Sequence, residues 1–173
     1  MNFLKIVGIV VLVIVFIIGL IYNLPIGIRH LINLAFPPKD LYEPILTDEF
    51  PFDREGISKE YEIKPKYTDY HEIGFIDESC SIPSTYRFNG KIRLEIIQNN
   101  KSIFEKDITT MESALYSKDD MNFYKKVVLT TFGIPSKRSK EEIILKITVL
   151  KKDDKMDYFI DKIKLYVAVS SRP

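Results

Sequence analysis

Two histidines, one cysteine and three acidic doublets are the side chains whose types and spacing offer chemistry in this sequence. A neighbouring imidazolium lowers a thiol's pKa and makes a nucleophilic thiolate, so His71 with Cys80 is the one thiol-based constellation available. The stretch between them crosses the end of an alternating segment, and a free cysteine is commonly a small packing residue. Zinc sites take four protein ligands when structural and three when catalytic. His30 belongs to the apolar N-terminal part, so a metal would have to recruit His71, Cys80 and carboxylates. His71 with a loop carboxylate is the minimal acid–base pair. With one cysteine, no intrachain disulfide forms and the redox compartment stays open.

The doublets Asp119–Asp120, Glu141–Glu142 and Asp153–Asp154 need the same weighing. Paired carboxylates hold calcium or divide acid and base roles, and the loops around Asp119 and Asp153 are the candidate cation sites. Each doublet adjoins a lysine (Lys118, Lys140, Lys152), the pattern of a solvated, mixed-charge surface. A calcium loop of helix–loop–helix type needs oxygen ligands at set offsets around a glycine, and that spacing is absent. So are a glycine-rich phosphate loop and a serine nucleophile elbow. Basic residues interleave with acids, unlike the footprint of a nucleic-acid binder. The expectation is a chain with no catalytic residues, no cofactor and no metal.

The elements that carry these residues divide into an apolar head and a charged body. The 173 residues hold 25 Lys+Arg and 24 Asp+Glu, with 46% hydrophobic residues, which excludes a disordered, collagen-like or disulfide-framework protein. Residues 1–39 contain Lys5, Arg29 and Lys39 and no acid, leaving 22 basic and 24 acidic residues in the remainder, a net of −2. Between Ile6 and Tyr22 no side chain is charged. Twenty helical residues at 1.5 Å each reach about 30 Å, the thickness of a bilayer's hydrocarbon core. Residues 1–24 therefore read as one transmembrane helix. Ile6, Val10, Val13, Phe16 and Leu20 are its anchoring side chains, with Tyr22 at headgroup level. Gly19 to Pro25 offers no small-residue pair for cleavage, so the segment reads as an uncleaved signal anchor.

Residues 25–38 are too short to span and carry Arg29 and His30. Ile28, Leu31, Ile32 and Ala35 fall at helical spacing, consistent with an amphipathic juxtamembrane collar or with a helix packed on the body, and Pro37–Pro38 stop it. Residues 39–57 mix Pro44 and Pro51 with acids and read as a linker or draped arm whose Tyr42, Phe50 and Phe52 dock in part. In residues 58–173 alternation recurs around Tyr61–Ile63, His71–Phe75, Ile92–Ile96, Ser102–Ile108, Lys125–Phe132, Ile143–Val149 and Ile163–Val169. Asn99–Asn100 joins two of these runs as a hairpin turn. Residues 109–124 lack clean periodicity and read as one helical turn followed by exposed loop. The fold class is mainly β, an antiparallel β-sandwich of immunoglobulin-like or jelly-roll kind behind the anchor.

Tryptophan is absent, while Tyr and Phe number 10 and 11. Tyr86, Tyr116, Tyr124 and Tyr158 fall near predicted strand ends and loops, where an amphipathic ring suits a protein partner. Charge does not orient the anchor, because the α-amino group and Lys5 precede it and Arg29 and Lys39 follow. A β-rich body behind one N-terminal anchor suits, by analogy, the periplasmic side of a bacterial inner membrane.

The anchor, the acidic arm, the strand Lys91–Ile97, its return through Ile103, Phe104, Glu105 and Lys106, and the closing run Asp161–Ser170 resemble small membrane-anchored bacterial β-sandwich proteins. That pattern covers residues 58–170 and looks like periplasmic immunity proteins that neutralise toxins from neighbouring cells. The resemblance implies a non-enzymatic binding protein with a protein partner, or alternatively a structural or assembly subunit of an envelope complex. No lipoprotein cysteine is present near the anchor, a departure from many such proteins.

Leu94 sits between Ile92 and Ile96 on the predicted inward face, so Leu94→Asp buries an unpaired charge and unfolds the body. A thermal melt followed by circular dichroism, unchanged in this variant, would show that the strand faces the other way.

Overall fold

The computed structural model describes residues 3–22, 25–118, 123–134 and 143–171. Two helices, α1 (Phe3–Tyr22) and α2 (Ile26–Ala35), precede nine strands. These are β1 (Leu46–Asp48), β2 (Ser58–Ile63), β3 (Tyr70–Asp77), β4 (Lys91–Gln98), β5 (Lys101–Ile108), β6 (Ser113–Lys118), β7 (Phe123–Gly133), β8 (Ile143–Lys151) and β9 (Ile163–Val169). They form two antiparallel sheets, one of five strands in the order β1-β9-β3-β7-β6 and one of four in the order β2-β8-β4-β5.

A shared core joins the sheets. Ile73 and Phe75 of β3, Val127 and Leu129 of β7, and Leu165 and Val167 of β9 belong to one cluster with Ile92, Leu94 and Ile96 of β4 and Leu145, Ile147 and Val149 of β8. Period-2 alternation built it: β8 alternates buried and half-buried residues from Ile143 to Val149, and Leu94 is 0% exposed on the face expected for it. The other face of the four-stranded sheet is a charge lattice. Arg93 forks onto Asp107 at 2.7 and 3.3 Å, Lys91 reaches Asp107 at 2.8 Å, and Lys146 lies between Glu60 and Glu95. Arg93 and Lys91 together hold the Asp107 carboxyl far below its ordinary range.

The hairpin between β4 and β5 turns where expected. Asn99 and Asn100 both take positive φ, at 52° and 59°, the backbone a two-residue turn of this kind requires. One reading is corrected, and one, the partly docked arm, is extended. Residues 113–118 are not a helical turn and loop but strand β6, paired to β7 from Ser113↔Val128 to Lys118↔Phe123. Their periodicity is weak because β6 is an edge strand with one neighbour. The 39–57 arm is also more than a linker, because it contributes β1, which pairs with β9, and buries Leu41, Phe50 and Phe52. Phe52 stands between Phe50 and Phe75 at ring distances of 4.7 and 5.7 Å, whereas Tyr42 remains exposed.

The centre of the five-stranded sheet is buried on its second face as well. Glu72, Val128, Tyr166 and Ala168 are all buried there. Lys126 closes over them, its ammonium 4.8 Å from the Tyr166 ring centre and paired with Glu72. A bulge between Ile73 and Gly74 brings neighbouring backbones together, and a Cβ on Gly74 would stand 1.9 Å from the Val127 carbonyl oxygen. Gly74→Ala should therefore cost about 1–3 kcal/mol, the usual scale of overpacking. Gly27→Ala in α2, where a Cβ meets nothing within 4 Å, should be neutral or stabilise by about 0.5–1 kcal/mol. Urea denaturation of the two variants should move in opposite directions; equal midpoints would mean that β3 and β7 can separate to admit the methyl group.

Candidate functional sites at the two ends of the sandwich

The register gives the sandwich two distinct ends. At one, Tyr70 pairs with Gly133 and His71 with Val169; at the other, Asp77 pairs with Lys125 and Ile163. At about 3.3 Å per residue, the eight residues of β3 separate these ends by about 25 Å.

Helix α2 is attached to the first end. It begins after Pro25, whose carbonyl accepts from the Ile28 and Arg29 amides, and it stops at Phe36 before Pro37–Pro38. Ile26 lies over Gly133, where a Cβ would stand 3.3 Å from its Cδ1. His30, 3% exposed, donates from Nδ1 to Asp69 at 2.6 Å, and Asn33 donates to the second oxygen of the same carboxylate at 2.5 Å. The Tyr70 amide adds a third donor at 2.7 Å, and the Tyr70 ring meets His30 edge-on at 5.5 Å. A buried carboxylate is tolerable only when its oxygens are satisfied this fully.

The face of α2 turned away from the body is apolar. Ile28, Leu31, Ile32 and Ala35 are exposed, as expected of an amphipathic segment, and Phe36 is 81% exposed. The side that docks is the polar one. In α1 the apolar side chains of residues 7–16 are all exposed, between 44% and 72%. Val10, Val13 and Phe16 of the expected anchor are among them, while the side chains of Ile6, Leu20 and Tyr22 lie outside the described residues. Among the described residues, no helix is long and apolar enough to cross a membrane.

The second end carries an open cleft of about 690 Å³. Glu49, Asp53, Glu78 and Asp161 line it together with Arg54, Lys162 and Lys164, and Lys164 pairs with Glu78 at 2.8 Å. Tyr158, 77% exposed, stands just before β9 at this end and leans on Phe159. Of the other tyrosines expected at a partner surface, Tyr124 is half-buried, and the Tyr116 side chain lies outside the described residues. Tyr86 is a core residue instead. Its ring sits between Phe75 and Phe159, each about 6.1 Å away, and its hydroxyl donates to Asp153 at 2.8 Å, an arrangement that raises its pKa through burial.

Of the doublet acids singled out by type, Asp153 serves as scaffolding. Asp153 is buried and accepts from the Tyr86 hydroxyl and the Asn89 and Lys155 amides, so it ties a loop together. Asp77 does the same for residues 79–82, accepting from the Ser79 and Ile82 amides. Among the described residues no group of three or more His, Cys, Asp and Glu could hold a metal ion, and Asp119, Asp120, Glu141 and Glu142 lie outside them. His71 and Cys80 are not a pair, because β3 runs between them and carries them to opposite ends of the sandwich. What sequence reasoning missed was the partnership of His30 with Asp69. The signal was a histidine and an asparagine three residues apart, opposite the apolar stripe.

His71 is buried beside this joint, donating from Nδ1 to the Asp69 carbonyl oxygen at 3.0 Å and stacked on Phe132. Burial pushes its pKa down to about 4 from 6.5. The unfolded chain takes up this proton below pH 6.5 while the folded chain refuses it until about pH 4, so stability falls as pH drops through that window. The shift corresponds to about 3 kcal/mol. His71→Gln should accordingly lose less stability than the parent between pH 7 and pH 4 in urea denaturation. Parallel pH profiles for the two proteins would show that His71 ionises freely in the fold.

No family model, curated protein or solved structure matches this chain.

Proposed function

We propose that this chain is a non-enzymatic binding protein anchored in the bacterial inner membrane by residues 1–24, with its β-sandwich on the periplasmic side. In this reading it is an immunity-type protein that engages and neutralises a protein toxin through the end remote from α2. The observation that carries the anchor is the unbroken exposure of apolar side chains over residues 7–16 of α1, far beyond the patch size a soluble surface leaves uncovered. The helical backbone of α1, at twenty residues, has the length of a bilayer's hydrocarbon core, about 30 Å. A concave, mixed-charge cleft and, before β9 at the same end, the exposed ring of Tyr158 support a protein partner, because tyrosine is enriched where interfaces carry binding energy.

A second reading, an assembly subunit of an envelope complex, is favoured by one observation: α2 is hydrogen-bonded to the body, which couples the membrane-proximal segment to the sandwich. The two separate on exchanging residues 1–24 for an unrelated transmembrane helix while keeping α2 and its contacts. Protection against a co-expressed candidate toxin should survive the exchange if the body does the binding and be lost if the anchor is part of an assembly. Tyr158→Asp should weaken capture of that toxin by about 30-fold, the equivalent of a 2 kcal/mol interface residue, with no change in melting temperature. Unaltered capture would remove the remote end from the reading, and absence of any protective effect would remove the immunity role.

A further inference from the structure

We infer that the outward face of α2 is a second membrane contact, seated in the lipid headgroup and upper acyl region, and that the His30–Asp69–Asn33 joint clamps the sandwich to it at a fixed orientation. This rests on the anchor reading for α1 and goes beyond it, since a spanning helix alone tethers a domain without orienting it. A globular helix docks its apolar stripe and shows its polar side to water. In α2 the order is inverted: His30 and Asn33 face the protein, and Ile28, Leu31, Ile32, Ala35 and Phe36 face outward. An apolar stripe turned from its own domain needs another apolar phase, and the neighbouring chain supplies the reason to choose lipid. Helix α1 ends at Tyr22, only a few residues before α2 begins at Ile26, so α2 starts where a spanning helix would leave the bilayer. Residues 1–39 contain no acid, and the exposed Lys39 that follows α2 suits phosphate headgroups.

The seat fixes direction. Asp69 immediately precedes β3, so α2 is held to the end of the sandwich where Tyr70 and Gly133 lie, and the cleft and Tyr158 are carried to the opposite end. The polar contacts make the joint stiff because each of the two Asp69 oxygens is bound by a different residue of α2.

The test uses the full chain in vesicles of phosphatidylcholine and phosphatidylglycerol, with Cys80 replaced by serine and a single environment-sensitive fluorophore placed by L12C, L31C or Y158C. The expected result is quenching by lipid-borne nitroxides at positions 12 and 31, and quenching only by aqueous iodide at 158. Lipid quenching at 12 with iodide quenching at 31 overturns the seat and leaves the anchor standing. Iodide quenching at both 12 and 31 overturns the anchor reading as well. A probe at 31 shielded from both quenchers overturns the inference in favour of a protein neighbour, such as a second copy of the chain. The clamp is read from the residual anisotropy of the probe at 158, which should drop in N33A and drop further with H30A added while circular dichroism of the body is retained. Residual anisotropy equal to the parent's in the folded N33A protein would show that the joint does not orient the sandwich.

Discussion

A single buried carboxylate fixes how the helical and β parts of this chain meet. Asp69 binds α2 through His30 and Asn33, caps the start of β3 through the Tyr70 amide, and passes its own carbonyl oxygen to His71. Few apolar contacts could replace it, since the side of α2 that docks offers little apolar surface beyond Ile26. The joint is therefore directional where a greasy contact would be permissive. A buried charge also punishes partial formation, because losing one donor leaves a desolvated oxygen unpaired.

The remaining loops follow the same logic. Asp77 and Asp153 each gather the amides of a turn that would otherwise leave backbone donors unsatisfied next to the core. Lys125 complements them at the remote end, with its buried ammonium bonded to the Ile82 and Pro83 carbonyls and its pKa lowered by that burial. The two sheets divide the remaining work. The four-stranded sheet turns a charge lattice to solvent, and the five-stranded sheet covers Glu72 and Tyr166 on its second face with Lys126.

Several strands were legible because each buries one face, and alternation along β4 and β8 reports that directly. The hairpin was legible because two adjacent asparagines tolerate the backbone that its turn demands. What escaped reading was set by contacts between distant parts of the chain. Strand β1 is three residues long and gains its identity only from β9, and β6 holds an edge through β7 alone. Tyr86 lies in a segment rich in turn formers, yet its ring completes an aromatic row that only the fold assembles. Periodicity in α2 identified an apolar face without saying which side the protein occupies, because a stripe has the same spacing whether it meets a core or a lipid. The candidate sites shared this limit: the cleft draws on residues 49–54, 78–79 and 161–164, three segments that no local pattern connects.

The length of β3 acts as a ruler. With α2 held at one end and the cleft at the other, the eight residues between them keep the two apart. That separation is about 25 Å along the strand. On the membrane-seated reading proposed above, a partner confined to the lipid surface would have to reach across that separation to meet the cleft, so the residue count of a single β-element selects partners by reach before any side chain is compared.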